Sequence, residues 1–357
     1  MPRQCRREAL AKCPKLSIDT ALSSALATPY RSPLWLPGGH AQSIWPLLIK
    51  GPLPDYRRER WDSPDGDFID LDWIDGADGT PCVVLFHGLE GSSRSHYARR
   101  LMHAVKARRW HGVVVHFRGC SGEPNRLPRA YHSGDSAEID WVLRRLSRHG
   151  WPALFSAGVS LGGNALLKWL AEQGSAAGSV IKGAAAISAP LDLAAANENL
   201  SHGFGLIYAR HFLRTLIPVA LAKAQRFPGL IDTRRVLASR TLRAFDDAVT
   251  APLHGFDGVD DYYARSSAGP LLSRITLPTL LLHAANDPFL PRSALPSADS
   301  LPGNVSLEIT RGGGHVGFVH GPPPGRIDWL SERILKYFHQ QFDPQFFSAA
   351  PSSDHMP

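Results

Sequence analysis

The hydrophobic pattern of the chain alternates between short apolar runs and longer segments in which apolar residues return every three to four positions. The short runs are typical of strands that are buried on both faces of a parallel sheet. The longer segments are typical of helices that cover such a sheet. The predicted strands with this pattern are 82–86, 113–117, 153–159, 183–188 and 277–283, and a final strand is predicted at 305–310. The predicted helices are 96–109, 133–147, 161–173 and 327–338.

The first two predicted strands have a different pattern. Residues 56–61 and 68–74 are joined by the turn sequence SPDG, and the second run alternates apolar and acidic residues as a half-buried strand does. These two runs predict an antiparallel hairpin ahead of the other strands. Strands that alternate with helices of this length predict an α/β fold with a mostly parallel central sheet and helices on both faces.

Three regions depart from this alternation. Residues 191–264 are rich in helix formers, with apolar pairs about four residues apart, and predict a helical cap inserted into the domain. The apolar face of this cap, which contains Phe212 and Leu216, has three interpretations: it covers a substrate pocket, contacts a membrane surface, or packs into the core. Residues 1–30 are expected to form a loosely ordered extension and residues 348–357 a flexible tail, which leaves 31–347 as the folded domain.

Composition and charge exclude several classes of protein. With 357 residues and 43% hydrophobic content, the chain can bury the core of one large domain. The net charge of +7 is spread over arginines that are interrupted by acidic or apolar residues, as in RRER at 57–60, so a nucleic-acid partner is not predicted. The N-terminus lacks the continuous apolar stretch of a signal peptide, and no run of about 18 apolar residues predicts a spanning helix. These patterns predict a cytoplasmic location and leave the oligomeric state open.

The four cysteines form no CxxC pair and no dense framework. Two of them, Cys82 and Cys120, lie near predicted strands and are expected to be buried thiols. We therefore expect no structural disulfide, no metal site and no cofactor.

One serine has a glycine two residues away on either side, in the sequence Gly158-Val159-Ser160-Leu161-Gly162. The motif follows a predicted buried strand and precedes a predicted helix, which is the setting of a nucleophile elbow. Glycine suits such a turn because backbone segments approach too closely there for a Cβ atom. The alternative is an ordinary serine in a glycine-rich loop, and the strand-turn-helix setting favours a nucleophile at Ser160.

A serine hydroxyl needs a base that is oriented by a carboxylate, and in such a fold the carboxylate and then the base follow the serine in the chain. Asp287 comes directly after the predicted strand 277–283, before a proline that stops the strand. His315 lies in a glycine-rich loop after the predicted strand 305–310. Each residue alone could be a turn-capping or surface-loop side chain. Together they predict a triad of Ser160, Asp287 and His315.

The negative charge that develops during attack on a carbonyl needs two backbone N–H donors. One is expected from Leu161, the residue after the nucleophile, and the other from Leu89, in the loop that follows the strand 82–86. In this loop, His87 could instead be a base or a metal ligand. No HExxH or comparable ligand spacing accompanies His87, which favours the oxyanion interpretation of the loop.

Seven stretches resemble, in this order, motifs of the α/β-hydrolase superfamily, and more narrowly of the YheT-like group of bacterial hydrolases, which is related to eukaryotic hydrolases of the ABHD1 and ABHD3 type. The stretches are PLWLPGGHAQ at 33–42, HGLEG at 87–91, RGCSGEPN at 118–125, GVSLGGN at 158–164, FDD at 245–247, NDPF at 286–289 and GHVGF at 314–318. The resemblance implies the same triad. It also implies hydrolysis of esters of short- to medium-chain acyl groups, with transfer to alcohols as a further activity. A non-catalytic homologue that serves as a binding module is the alternative.

Several residues in these stretches remain outside the predicted site. Asp246 and Asp247 are interpreted as helix caps or salt-bridge partners rather than as the triad acid, because they precede the last apolar strands. The turn at 118–122 and the side chains of His40 and Gln42 are assigned structural roles, although each could reach the site.

Overall fold

An eight-stranded sheet forms the centre of the computed structural model, which describes residues 29–342. The strands are β1 (Arg57–Asp62), β2 (Phe68–Ile74), β3 (Cys82–Phe86), β4 (His111–Val115), β5 (Leu154–Val159), β6 (Gly183–Ile187), β7 (Thr279–Ala284) and β8 (Val305–Thr310). Their order across the sheet is β1-β2-β4-β3-β5-β6-β7-β8. Strand β2 pairs antiparallel with β1 and β4, and all other neighbours are parallel. The mostly parallel sheet and its antiparallel N-terminal hairpin confirm the predicted fold class.

Eleven α-helices accompany the sheet within residues 29–342. They are α1 (Gly39–Ile44), α2 (His96–Ala107), α3 (Ser136–Ser147), α4 (Leu161–Gln173), α5 (Leu193–Leu200), α6 (Gly205–Arg226), α7 (Thr233–Ala238), α8 (Leu242–Phe245), α9 (Ala251–Leu253), α10 (Val259–Ser266) and α11 (Trp329–Phe342). A π-helical turn, Asp246–Thr250, joins α8 to α9.

Each face of the sheet has its own apolar core, because successive side chains of a strand point to opposite faces. In β3, Val84 and Phe86 pack into the cluster that contains the apolar residues of α3 and α4. Val83 and Leu85 of the same strand pack into the cluster with α2 and α11. The continuous apolar run of β3 is therefore explained by burial on both sides, as its pattern predicted.

The helices α5 to α10 lie between β6 and β7, in the part of the chain where a cap was expected, and we call residues 193–266 the cap region. Helix α6 is the longest of them at 22 residues. The cap region has a separate apolar cluster, which includes Leu200, Leu213 and Phe245. This cluster packs α5, α6, α7 and α8 against one another.

Two other regional predictions concern the ends of the chain. The tail 348–357 and all but the last two residues of the extension 1–30 lie outside the described residues. Tyr30, at the end of that extension, packs against Phe318 and Trp329. Among residues 29–342, no helix combines the length and the hydropathy that crossing a bilayer requires.

Strand β4 ends two residues before its predicted end at Phe117. The N–H of Phe117 donates to Nε2 of His87, a side chain, instead of to a neighbouring strand. The apolar run in the sequence extends to Phe117 because this side chain is buried, although the backbone pairing of β4 with its neighbours has already ended. This side-chain bond also fixes the loop after β3, which lies beside the candidate site.

Candidate active site

Ser160 lies on a sharp turn between β5 and α4, at the carboxyl edge of the sheet. Its φ of 53° and ψ of −118° belong to a region that L-residues rarely occupy. The amide of Ser160 donates to the carbonyl of Ile187 at 2.8 Å, and its carbonyl accepts from Asn164 at 3.0 Å. The sheet and the first turn of the helix thus hold this backbone conformation in place.

The two glycines of the motif are required by close backbone contacts. A Cβ atom on Gly158 would lie 2.5 Å from the carbonyl oxygen of Gly162. A Cβ atom on Gly162 would lie 2.5 Å from the carbonyl oxygens of both Phe86 and His87. Strand β3 and helix α4 therefore meet directly at the turn, and this contact brings the loop after β3 close to Ser160.

Ser160, His315 and Asp287 form one hydrogen-bonded path. Oγ of Ser160 lies 3.0 Å from Nε2 of His315. Nδ1 of His315 lies 2.8 Å from Oδ2 of Asp287, and because the carboxylate can only accept, Nδ1 carries the proton. Nε2 is then free to accept from the serine hydroxyl. Asp287 is only 6% exposed, and its second oxygen accepts from the N–H of Phe289 at 2.8 Å.

The three side chains reach this path from three different strands. Ser160 follows β5, Asp287 follows β7, and His315 follows β8. The carboxyl ends of parallel strands lie at one edge of a sheet, where sites of α/β proteins form. The structure thus brings together all three residues that the sequence predicted.

The two residues that were predicted as N–H donors, Leu89 and Leu161, both lie near Ser160. Leu161 is the first residue of α4, so its N–H has no partner within the helix. Leu89 follows Gly88, and a Cβ atom on Gly88 would lie 3.2 Å from Cβ of Ser160. Both Leu89 and Leu161 line the cavity that contains Ser160.

His87 stabilises the loop that carries Leu89. Its Nε2 accepts from the N–H of Phe117 at 3.1 Å, and its Nδ1 lies 2.8 Å from the carbonyl of Gly88. Complete burial lowers the pKa of His87 to about 3, since the imidazolium would be desolvated. A neutral imidazole can accept at one nitrogen and donate at the other, as these two bonds require.

A cavity of about 650 Å³ is lined by Ser160 and His315 on one side and by residues of the cap region on the other. Most of its lining from the cap region is apolar and includes Leu200, Phe212, Leu216, Leu242, Phe245 and Val249. Phe212 and Leu216, which were singled out in the sequence, therefore face this cavity. In contrast, Ile207 on the same helix is 52% exposed.

The turn at 118–122 is tied to the fold through a buried arginine. Nε of Arg118 donates to Glu138 at 2.5 Å, and its Nη1 lies 2.8 Å from Asp65 and 3.2 Å from Asp67. Because a buried guanidinium needs such carboxylate partners, Arg118 has the structural role expected for this turn. The turn also lines the cavity through Gly119.

The two neighbouring aspartates 246 and 247 have different surroundings. Asp247 forms an ion pair with Arg235 and accepts from the N–H of Val259, as expected for a cap and salt-bridge partner. Asp246 instead faces the cavity and accepts from the hydroxyls of Thr250 and Tyr263, at 2.7 and 2.9 Å. Burial raises the pKa of Asp246 to about 6.

In the segment before β1, sequence reasoning assigned Gln42 a structural role and did not single out Ser43. Gln42 and Ser43 of α1 form hydrogen bonds with the loop that carries His315. The sequence indicates that Gln42 could reach the site, but it does not indicate which loop the side chains of α1 contact. Among residues 29–342, no cluster of His, Cys, Asp and Glu side chains has an arrangement that could hold a metal ion.

A family model described as the alpha/beta hydrolase fold matches residues 81–322. The chain belongs to the α/β-hydrolase family. Within it, this α/β-hydrolase is 43% identical to YheT of Escherichia coli strain K12 over 304 residues, which are 83% of this chain and 88% of YheT. In its name, YheT is described as an esterase, and that description is marked as provisional.

Human phospholipase ABHD3 is 30% identical to this α/β-hydrolase over 324 residues, 87% of this chain and 78% of ABHD3. These two relatives confirm the resemblance to the YheT and ABHD3 group. Among solved structures, an esterase from Pyrococcus furiosus has a TM-score of 0.52 at 16% identity, covering 88% of this chain and 97% of that one. An esterase from Exiguobacterium antarcticum has the same TM-score and identity, covering 79% of this chain and all of that one. At such identities the two structures show the shared fold alone.

Proposed function

We propose that this protein is a serine hydrolase that cleaves carboxylic esters of short- to medium-chain acyl groups. The observation that carries the proposal is the hydrogen-bonded path from Ser160 through His315 to Asp287, which begins in a largely apolar cavity. Such a path activates a serine hydroxyl, and such a cavity suits an acyl chain.

In the first half of the reaction, His315 Nε2 takes the proton of Ser160 as Oγ bonds to the carbonyl carbon of the ester. The carbonyl oxygen becomes an oxyanion and accepts from the N–H groups of Leu89 and Leu161. Asp287 stabilises the imidazolium that forms. When the tetrahedral intermediate collapses, the bond to the alcohol oxygen breaks, and the proton on Nε2 passes to that oxygen.

In the second half, a water molecule loses its proton to His315 and attacks the acyl-enzyme on Ser160. Collapse of this second intermediate releases the carboxylic acid and returns the proton to Oγ. An alcohol that takes the place of water would produce a new ester by the same steps. Acyl transfer to alcohols is therefore the side activity that we expect.

The substrate class is supported by the cavity and by the names of relatives. ABHD3 is named a phospholipase, and a relative from Saccharomyces cerevisiae that is 28% identical is named a monoacylglycerol lipase. Lipid-like esters with an acyl chain are consistent with the apolar lining that the cap region contributes. Contact with a membrane surface through exposed residues such as Ile207 stays a prediction.

The experiment is turnover of p-nitrophenyl esters of increasing acyl length, with and without ethanol, by the wild type and Ser160→Ala. We expect Ser160→Ala to lose turnover while keeping the circular dichroism and melting temperature of the wild type. Ser179→Ala, at a distant surface site, is the control and should retain full turnover. Unchanged turnover in Ser160→Ala would disprove the proposal.

The alternative is a non-catalytic binding module with the same fold. A fluorophosphonate probe distinguishes the two, because it reacts with an activated serine and not with an ordinary hydroxyl. Labelling that depends on Ser160 supports the hydrolase. A wild type that stays unlabelled and hydrolyses no ester of the series favours the binding module.

A further inference from the structure

Residues 29–49, which we call the strap, lie against the chain that follows His315. The hydroxyl of Tyr30 donates to the carbonyl of Val319 at 2.8 Å. The indole N–H groups of Trp35 and Trp45 donate to the carbonyls of Gly321 and Pro324, at 2.9 and 2.7 Å. Helix α1 belongs to the strap and lies close to the site itself.

Gln42, in α1, bridges two loops of the candidate site. It is 2% exposed, and its Oε1 accepts from the N–H of Gly313 at 2.7 Å and from Nδ2 of Asn286 at 3.1 Å. Its Nε2 donates to the carbonyl of Leu36 at 2.9 Å, within the strap. One side chain therefore joins the loop of Asp287 to the loop of His315.

Ser43 contacts the backbone of the catalytic histidine. Its Oγ accepts from the N–H of His315 at 2.7 Å and donates to the carbonyl of Gly39, also at 2.7 Å. Between these positions, the N–H of Gly314 donates to Oδ1 of Asn286 at 3.0 Å. Three consecutive N–H groups, of residues 313, 314 and 315, are thus each held by a side chain, and two of the three side chains belong to the strap.

The strap and the two loops also meet backbone to backbone. A Cβ atom on Gly39 would lie 1.8 Å from the carbonyl oxygen of Asn286. A Cβ atom on Gly317 would lie 1.9 Å from the carbonyl oxygen of Gln42. Contacts this close leave no space for the histidine loop to shift toward the strap.

From these contacts we infer that Gln42 and Ser43 are positioning residues for His315. They touch no reacting atom, but they fix the backbone that carries the imidazole to a segment outside the family match at 81–322. A base must be held at hydrogen-bond distance from its nucleophile, and an error of about 1 Å can cost about 100-fold in rate. The inference rests on the proposed function, because it assigns the strap a role in serine activation.

The test compares Ser43→Ala and Gln42→Leu with the wild type in hydrolysis of a p-nitrophenyl ester. Each substitution removes an acceptor of the histidine loop, so we expect kcat to fall about 10- to 100-fold with little change in KM. Ser43→Thr keeps the hydroxyl and should restore most of kcat. Because Gln42 is buried, circular dichroism and thermal melting establish that the variant is folded. If Gln42→Leu does not fold, the comparison of Ser43→Ala with Ser43→Thr decides.

The control is Trp45→Phe, which removes a strap hydrogen bond of similar length to Pro324 rather than to the histidine loop. We expect it to keep the kcat of the wild type. A kcat loss in Trp45→Phe as large as in Ser43→Ala would show that general attachment of the strap is responsible, which overturns the inference. A folded Ser43→Ala with wild-type kcat overturns it as well.

A second measurement does not depend on turnover. We expect the Nδ1 proton between His315 and Asp287 to give a far-downfield proton NMR signal, which should shift or broaden in Ser43→Ala and persist in Trp45→Phe. If the wild type hydrolyses no ester, the proposed function fails, and this signal still tests the positioning. An unchanged signal in Ser43→Ala contradicts it.

Discussion

The ring of Phe289 lies parallel to the imidazole of His315, with the ring centroids 4.0 Å apart and the planes 8° apart. On the cap side, Tyr208 and Phe212 of α6 pack against Phe289 at centroid distances of 4.7 and 6.1 Å. The imidazole is therefore restrained on one face by a side chain that the cap region holds in place. Asp287, two residues before Phe289, restrains the same ring at its edge.

This stacking predicts a kinetic effect of Phe289→Leu. Without the parallel ring, the imidazole has more orientations available, so we expect kcat for a p-nitrophenyl ester to fall about tenfold. Phe245→Leu is the matched control, because Phe245 lines the same cavity without stacking on His315. Equal losses of kcat in the two variants would contradict a specific role for the stacking.

The contact between α4 and β3 predicts the cost of a methyl group at Gly162. A Cβ atom there would lie 2.5 Å from two carbonyl oxygens, so Gly162→Ala should lower the free energy of unfolding by about 1–3 kcal/mol. Gly178→Ala is the control, since the nearest atom to its Cβ would be 3.9 Å away. Chemical denaturation measures the free energy of unfolding of both variants. A Gly162→Ala variant as stable as Gly178→Ala would show that the turn can widen freely.

The cavity predicts which substitution on α6 changes acyl preference. Leu216→Trp fills space beside Phe212, and each methylene that it displaces should cost about 0.8 kcal/mol. Two displaced methylenes would lower kcat/KM for an octanoyl ester about tenfold. The acetyl ester should be little affected. Thr215→Trp adds the same ring at the neighbouring exposed position. The prediction fails if Thr215→Trp changes the preference for acyl length as much as Leu216→Trp does.

The raised pKa of Asp246 predicts that the stability of the protein depends on pH. Its pKa is raised from 3.8 to about 6 in the folded protein, so the folded state binds this proton more tightly than the unfolded chain does. The contribution of Asp246 to stability therefore falls as pH rises from about 4 to about 6, by up to about 3 kcal/mol. Asp246→Asn should remove that fall.

Urea unfolding of the wild type and Asp246→Asn at several pH values between 4 and 8 measures the difference. Thr250→Val provides a second comparison, because it removes one hydroxyl that donates to the carboxylate and should move the fall in stability to higher pH. Identical pH profiles for the wild type and Asp246→Asn would show that this carboxyl does not titrate between the two states.

The parts of the site that could be predicted from the sequence are those set by local order along the chain. Ser160 and Asp287 each follow a buried strand, which a run of apolar residues identifies without knowledge of its neighbours, and His315 follows the mixed polar and apolar edge strand β8. Parallel pairing then brings the ends of these strands to one edge. The sequence and elementary rules of α/β sheets therefore contained this part of the arrangement.

Other contacts depend on packing between distant segments. Gln42 and Gly313 are 271 residues apart, and no periodic pattern relates a glutamine in a short helix to a distant loop. Asp246 and Asp247 are identical in type and adjacent, yet one faces the cavity and the other pairs with Arg235. Only the direction of each side chain in the folded cap region distinguishes them.

The backbone of Ser160 also sets a limit on how stable this protein can be. A φ of 53° with a ψ of −118° is a conformation that glycine adopts without strain and serine does not. Replacing the serine by glycine would relieve that strain while removing the hydroxyl. At the proposed nucleophile, activity and thermodynamic stability would thus favour different amino acids.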